Sequence, residues 1–409
     1  MTACNELIDA MIGLTKAKCK SWVEIDDDGF SAVVDPNEHR VIASHYANSH
    51  LCAALLLNSD TLSQDFRLGI DLLEGLLSRW EIDCKEYDFH HDFNSFALCI
   101  VAGRLEDCIG FEETVEKLKS LVLSTPDSRH FTVNWLPMRI FVNLRRFDWS
   151  QDGKYLRRVR ILDRLLGMAR HRDGLIEDRL PKGKSFCLQY DVATTAGLEL
   201  LNHSGCTYPV EDMLLPLVNA CDPEGDINYF GRGCNQLFAW GPWLYLLRAQ
   251  GQLGLLRKSV LYVSSRLPQM IGNDNLLLNS FRGKDKDFWW DYHYCSVYLS
   301  HFLLWLELTR ALPSPCEESD LQPSRDFHGD TGLQVVRSDA AFAAAFDGRK
   351  QYLAERGPVV MNIWTSRHGT VMKGTFGPWL SPFGTLNGSA CVLLNYFGLL
   401  DLVGNDRCA

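Results

Sequence analysis

From about residue 43 to 311, apolar residues recur at three-and-four spacing over segments of roughly 10 to 20 residues, the pattern of helices with one buried stripe. The clearest are RLGIDLLEGLLSRW (67–80), FEETVEKLKSLVL (111–123), YLRRVRILDRLLGMARH (155–171) and VYLSHFLLWLELTRAL (297–312). Turn signals stand between helices: STPD at 124–127, HRDG at 171–174, DPEGD at 222–226 and GND at 272–274. After about residue 312 the pattern changes. PSPCEESDLQPS (313–324) is linker-like, and GLQVVRSD (332–339), AAFAAAFDG (340–348), QYLAER (351–356), VVMNIWTS (359–366) and GTVMKGTFG (369–377) read as strands of one antiparallel sheet.

A second regularity lies over the first. Alternate helices open with a polar and aromatic cluster, namely SHYANSH (44–50), HHDFN (90–94), TVNW (132–135), LQYD (188–191), GRGCNQ (231–236) and DYHY (291–294), whereas the helices between are plain amphipathic ones. The clusters recur about every 50 residues, six times, which is the period of a helical hairpin. The predicted fold is mainly α: an (α/α) toroid of about six helical hairpins over residues 1–312, a linker at 313–327 and a small antiparallel, β-sandwich-like region at 328–409. Inner helices that run parallel bring their N-terminal ends, with their partial positive charge, to one mouth, which suits an anionic ligand. An open helical solenoid with unrelated polar openers fits the same period.

Composition narrows the function classes. Of 409 residues, 46% are hydrophobic and 22% charged, an ordinary globular balance. A formal charge of −10 argues against nonspecific nucleic-acid binding and against docking on an anionic membrane. The 14 cysteines form no CxxC pair or zinc-ribbon spacing, so they read as reduced core residues and no metal site is expected. The chain shows no signal-peptide pattern, no nucleotide loop, no dinucleotide fingerprint, no HExxH and no GxSxG, so the expectation is a cytoplasmic protein without a cofactor. The DPEGD loop could hold calcium, although a simple turn explains it.

The richest segments are DGLIEDRLPKGKSFCLQYDVATTAGLELL (173–201), which leads from a DG turn to Tyr190, and DPEGDINYFGRGCNQLFAWGPWLYLL (222–247), with Arg232 on a glycine-flanked loop. Together they resemble the polysaccharide lyases of the hyaluronate and chondroitin AC type, and more loosely the heparinase and alginate lyases, which join a helical toroid to β-sandwich domains. The resemblance implies β-elimination on a uronate-containing glycan, an acidic polysaccharide or oligosaccharide. It implies Tyr190 as base and acid, with Asn134 and Arg232 as partners of the sugar carboxylate. The chemistry needs those types: the C5 proton is only weakly acidic, so the neighbouring carboxylate must be neutralised, and a tyrosine beside positive charge can take that proton.

The chain departs from the pattern where the lyases carry histidine. It has Asp178 and Arg179 after the DG turn, Trp135 after Asn134, and Asp191 beside Tyr190. A catalytic histidine is therefore expected elsewhere: His293 in FWWDYHYCSVY, His91 in HHDFN or His328 in FHGDTG. Trp135, Asp178, Tyr229, Gln236, Trp240, Trp289, Trp290, Tyr292 and His91 make up the expected substrate-binding set, the aromatic rings stacking on sugar faces. Two other readings stay open. Asp92, Asp178, Asp191 and Asp291 could pair as the carboxylates of a toroid glycoside hydrolase, although Asp191 and Asp291 also suit N-capping. The β region, some 80 residues, is shorter than in the lyases, which fits a truncated or a small native sheet and a noncatalytic glycan binder.

Overall fold

The computed structural model describes residues 2–86, 89–128, 132–182, 186–229, 236–271, 294–313, 319, 321–346 and 359–373. Even-numbered helices carry the polar openers: α2 (Tyr46–Leu57), α4 (His91–Glu106), α6 (Leu136–Ser150), α8 (Leu188–His203), α10 (Trp240–Ala249) and α12 (Cys295–Ala311). Each packs against the next, and α12 packs against α2, so the six close a ring. Their composition explains why they are inside. In α2 every residue from Tyr46 to Leu56 is buried, and in α12 every residue from Cys295 to Thr309, because apolar residues stand on every side of both helices and the polar ones among them are buried too.

The odd-numbered helices form an outer layer: α3 (Gln64–Asp83), α5 (Glu112–Ser124), α7 (Gly153–Ala169), α9 (Val210–Ala220) and α11 (Leu253–Ile271) pack on α2, α4, α6, α8 and α10. These bury one stripe. In α7 it is Tyr155, Val159, Leu162, Leu166 and Ala169, and Asp152 caps its start by accepting from the Lys154 amide at 2.9 Å. The sixth outer helix is α1 (Thr2–Lys20), which packs on α11 and α12. A buried carboxylate holds that closing seam. Glu307 of α12 accepts from Asn58 just past α2 at 2.9 Å and pairs with Lys16 of α1 at 3.2 Å and Arg310 at 2.6 Å.

Between α1 and α2 runs a three-stranded antiparallel sheet, β1 (Val23–Ile25), β2 (Ser31–Asp35) and β3 (Arg40–Val41). Asp35 at the end of β2 accepts from the amide and hydroxyl of Ser296, at 2.8 and 2.7 Å, and so caps α12 from across the chain. The five C-terminal strands, β4 (Asp326–His328), β5 (Leu333–Arg337), β6 (Ala341–Phe346), β7 (Val359–Thr365) and β8 (Gly369–Lys373), form an antiparallel sheet in sequence order. Its buried face, with Leu333, Val335, Phe342, Ala344 and Phe346, lies on the loops after α7 and α9. Phe346 stacks on Phe186 with centroids 6.3 Å apart, and Asn362 donates to Asp222 at 3.0 Å. The DPEGD loop is a turn organised by its own acids: Asp222 accepts from the Glu224 and Asp226 amides, and Asp226 from the Asn228 amide and the Tyr262 hydroxyl. Of the ten described cysteines, all unbridged thiols, eight are buried, and Cys84 and Cys206 are partly exposed. No described helix is long and apolar enough to cross a membrane.

The turn leading into the loop after α7 depends on Gly174. It has φ +95°, and a Cβ there would stand 2.2 Å from the Asp212 carbonyl oxygen at the start of α9. Gly174→Ala therefore combines a left-handed backbone with a clash against main chain, and is expected to cost roughly 2–4 kcal/mol. Chemical denaturation measures it; a midpoint equal to the native one would contradict the tight packing of this loop.

Candidate active site

All six inner helices present residues to one cavity of about 180 Å³ at their N-terminal ends. Tyr46 comes from the start of α2, His90 and Phe93 from α4, and Asn134 and Trp135 from the 3-10 turn that precedes α6. Gln189 and Tyr190 come from the first turn of α8, Phe238 from the 3-10 turn before α10, and Tyr294, Val297 and Tyr298 from the start of α12. The six N-terminal ends turn their partial positive charge towards this space.

Asp178 arrives on the loop after α7, which is pinned at both sides. The Val133 amide donates to the Asp178 carbonyl at 2.8 Å, tying the loop to the turn that carries Asn134. The Ile176 amide donates to the Asp191 carboxylate at 3.0 Å, tying it to α8. Asp191 is thus a clasp for this loop and not the N-cap of α8, whose cap position is Cys187. Burial pushes the Asp191 carboxyl well above the usual carboxylate range.

The aromatic wall is dense around His90. Its ring lies 5.6 Å from Tyr46, 5.5 Å from Phe93, 5.9 Å from Trp135 and 6.1 Å from Tyr294. Trp135 is held from behind by the guanidinium of Arg139, 5.9 Å from its ring. Among the described lining residues there is one carboxylate, Asp178, and no lysine or arginine.

Of the residues expected from sequence, Tyr190, Asn134, Trp135 and Asp178 meet at this cavity. Gln236 stands beside it, accepting from Gln189 at 3.4 Å and held through its carbonyl by Asn228 at 2.8 Å. Tyr229 and Trp240 are elsewhere. Tyr229 is fully buried, donates to the Ala220 carbonyl and packs edge-on against Phe342 of the sheet, while Trp240 stacks on Tyr262 between α10 and α11. His91 lies one residue off the cavity with its ring against Phe89, and its neighbour His90 occupies the lining position. His328 is exposed on β4 at the sheet edge. Arg232, His293, Trp289, Trp290 and Tyr292, with Asp291, lie outside the described residues.

Asp92 is occupied otherwise. Its carboxylate accepts from Arg139 at 3.0 Å and from the Ser128 amide at 3.3 Å beneath the loop that precedes Asn134. Sequence reasoning passed over Tyr46, His90, Gln189, Phe238, Tyr294 and Tyr298. Most stand inside the same opener clusters, so the clusters carried the signal and only the choice within each was missed.

No family model matches the sequence. No curated protein matches it either. Among solved structures, the chain is similar to an inactive variant of an α-1,6-mannanase of Salegentibacter sp. HEL1_6 in complex with α-1,6-mannotriose. Identity is 12% and the TM-score 0.50, over 74% of this chain and 99% of that one. A second inactive variant of the same enzyme, with a bound tetrasaccharide, matches at 13% identity and TM-score 0.50, over 74% of this chain and 98% of the other. A polysaccharide lyase matches at 13% identity and TM-score 0.47, over 76% of this chain and all of the other. The likeness is one of fold, the closed double ring of helices.

Proposed function

We propose that this protein is an enzyme acting on a glycan at the N-terminal mouth of its helical ring, and that it cleaves a uronate-containing chain by β-elimination. The observation that carries the reading is the meeting of Tyr190 and Asn134 at one cavity walled by Trp135, Phe93, Tyr294 and Tyr298. Aromatic faces suit the apolar faces of pyranoses. Asn134 is a neutral donor for the sugar carboxylate, and the resemblance to the lyases gives Arg232 the role of the cation. Together with the helix N-termini they would stabilise the enolate that forms as C5 loses its proton. Tyr190, on the first turn of α8, stands at the same cavity as Asn134, where a phenol can reach a bound sugar.

A paired-carboxylate hydrolase is less well supported, because Asp92 is committed to Arg139 and Asp191 to the loop at Ile176, which leaves Asp178 as the described carboxylate at the cavity. The assay is direct. The protein is mixed with a panel of uronate polymers and oligosaccharides, and the ultraviolet absorbance of a conjugated double bond is followed alongside new reducing ends. Absorbance rising with reducing ends is expected. Reducing ends alone would replace elimination by hydrolysis, and glycan binding without either product would replace both by a noncatalytic role.

A further inference from the structure

Tyr190 need not do both proton transfers, because a second phenol shares its cavity. Tyr46 lines the same space and is 2% exposed, its ring packed between His50 at 4.1 Å and Phe93 at 4.3 Å. Behind it, a hydrogen bond of 2.7 Å joins Tyr46 Oη to Nδ1 of His301, whose ring is stacked on Phe238 at 4.4 Å and 7°. The stacking fixes the plane of the imidazole, and the hydrogen bond fixes the phenol oxygen.

We propose that Tyr46, oriented by His301, is the general acid of the elimination and that Tyr190 is the base alone; this assignment rests on the elimination reading above. In the step, Tyr190 phenolate takes the C5 proton and the C5–H electron pair becomes the C4=C5 double bond. The C4–O pair leaves with the glycosidic oxygen, which takes the Tyr46 hydroxyl proton. The cycle closes when the proton on Tyr190 returns to Tyr46, directly or through water, so nothing is oxidised and no charge accumulates.

The surroundings separate the two phenols in the needed sense. Burial holds Tyr46 well above the ordinary tyrosine range, and charge on Tyr190 raises it further, so Tyr46 keeps its proton, while Tyr190 is the half-buried one of the two phenols. Burial also pushes His301 down to about 3, so it is a neutral imidazole with one N–H. Its Nε2 is buried and makes no hydrogen bond among the described residues, and an unmatched buried acceptor costs less than an unmatched donor. The hydrogen then sits on Nδ1 and donates to Tyr46, which aims the Tyr46 hydroxyl hydrogen into the cavity and supports the phenolate that forms as it leaves.

The test uses the full chain and two substrates: a uronate oligosaccharide, and the same uronate with fluoride at C4, a leaving group that needs no proton. Tyr46→Phe is expected to lower turnover of the oligosaccharide roughly 100-fold or more while keeping the fluoride substrate within about threefold of native, with KM little changed. Tyr190→Phe should lose both. His301→Leu should behave as Tyr46→Phe, and His301→Asn, whose amide reaches the place of Nδ1, should recover most of the lost turnover. Thermal melts accompany each variant; if His301→Leu does not fold, Tyr46→Phe and His301→Asn carry the comparison. Tyr46→Phe equally slow on both substrates, or equally fast on both, would overturn the assignment. Native protein that forms no unsaturated product from either substrate would instead bring down the elimination reading itself.

Discussion

Tyr190→Phe should lower kcat for the unsaturated product by about 100- to 10,000-fold, the range set by removing a positioned base, with KM within a few-fold of native. The change is clean because it removes only the hydroxyl. Tyr190 sits in the first turn of α8, its backbone carbonyl accepting from Thr194 at 2.7 Å and its ring meeting Phe238 edge-on at 6.2 Å, and phenylalanine preserves both contacts. Stability should therefore move by less than about 1 kcal/mol, as for other substitutions that leave no cavity. Steady-state kinetics on a responsive uronate glycan, with a denaturation curve beside it, gives both numbers. Undiminished turnover would remove Tyr190 from the chemistry.

The largest effect on stability is expected at Arg139→Leu. Arg139 and Asp92 are both buried, and losing one partner of a buried ion pair leaves an uncompensated charge, at a cost of about 3–5 kcal/mol. The pH dependence gives this away. Burial outweighs Arg139 and pushes the Asp92 carboxyl up to about 6 even in the native protein. A group raised on folding contributes stability that is full below its unfolded value and is lost as pH rises through the folded value. Without Arg139 the folded value climbs further, so the penalty is greatest at neutral pH and shrinks towards pH of about 4, where a protonated Asp92 needs no cation. What remains there is the lost bond to the Ser128 carbonyl, roughly 1 kcal/mol, and lost packing on Trp135. Denaturation curves at both pH values check it; an equal loss at the two would show that charge is not what Arg139 supplies. Because Arg139 also backs Trp135, glycan affinity should fall in the same variant.

Much of the fold was legible in the chain. The fully buried α2 and α12 carry apolar residues on every side, and four of the five described C-terminal strands lie on segments that read as strands, β5 and β6 with the expected alternation, while QYLAER (351–356) lies outside the described residues. The small sheet β1 to β3 escaped notice, although Asp28 and Gly29 stand between VEI and SAVVD as a hairpin signal. The aromatic excess was harder to apportion. Trp135 faces the cavity and Trp240 the packed wall between α10 and α11, yet both stand at the start of an inner helix in polar and aromatic company.

By itself, then, the sequence determined the local quantities: which segments between about 43 and 311 are helices, where strands take over, and that six polar clusters open alternate helices. Periodicity reports whether a side chain meets water or protein, and that is a property of a single segment. The tertiary structure alone decided what depends on neighbours distant in the chain. It set the closing of the ring by α1 and Glu307, and the choice of His90 over His91. It also joined Tyr46 to His301, 255 residues away. Those follow from the rotation of each helix about its own axis and from packing against elements far along the chain, neither of which leaves a mark on local spacing.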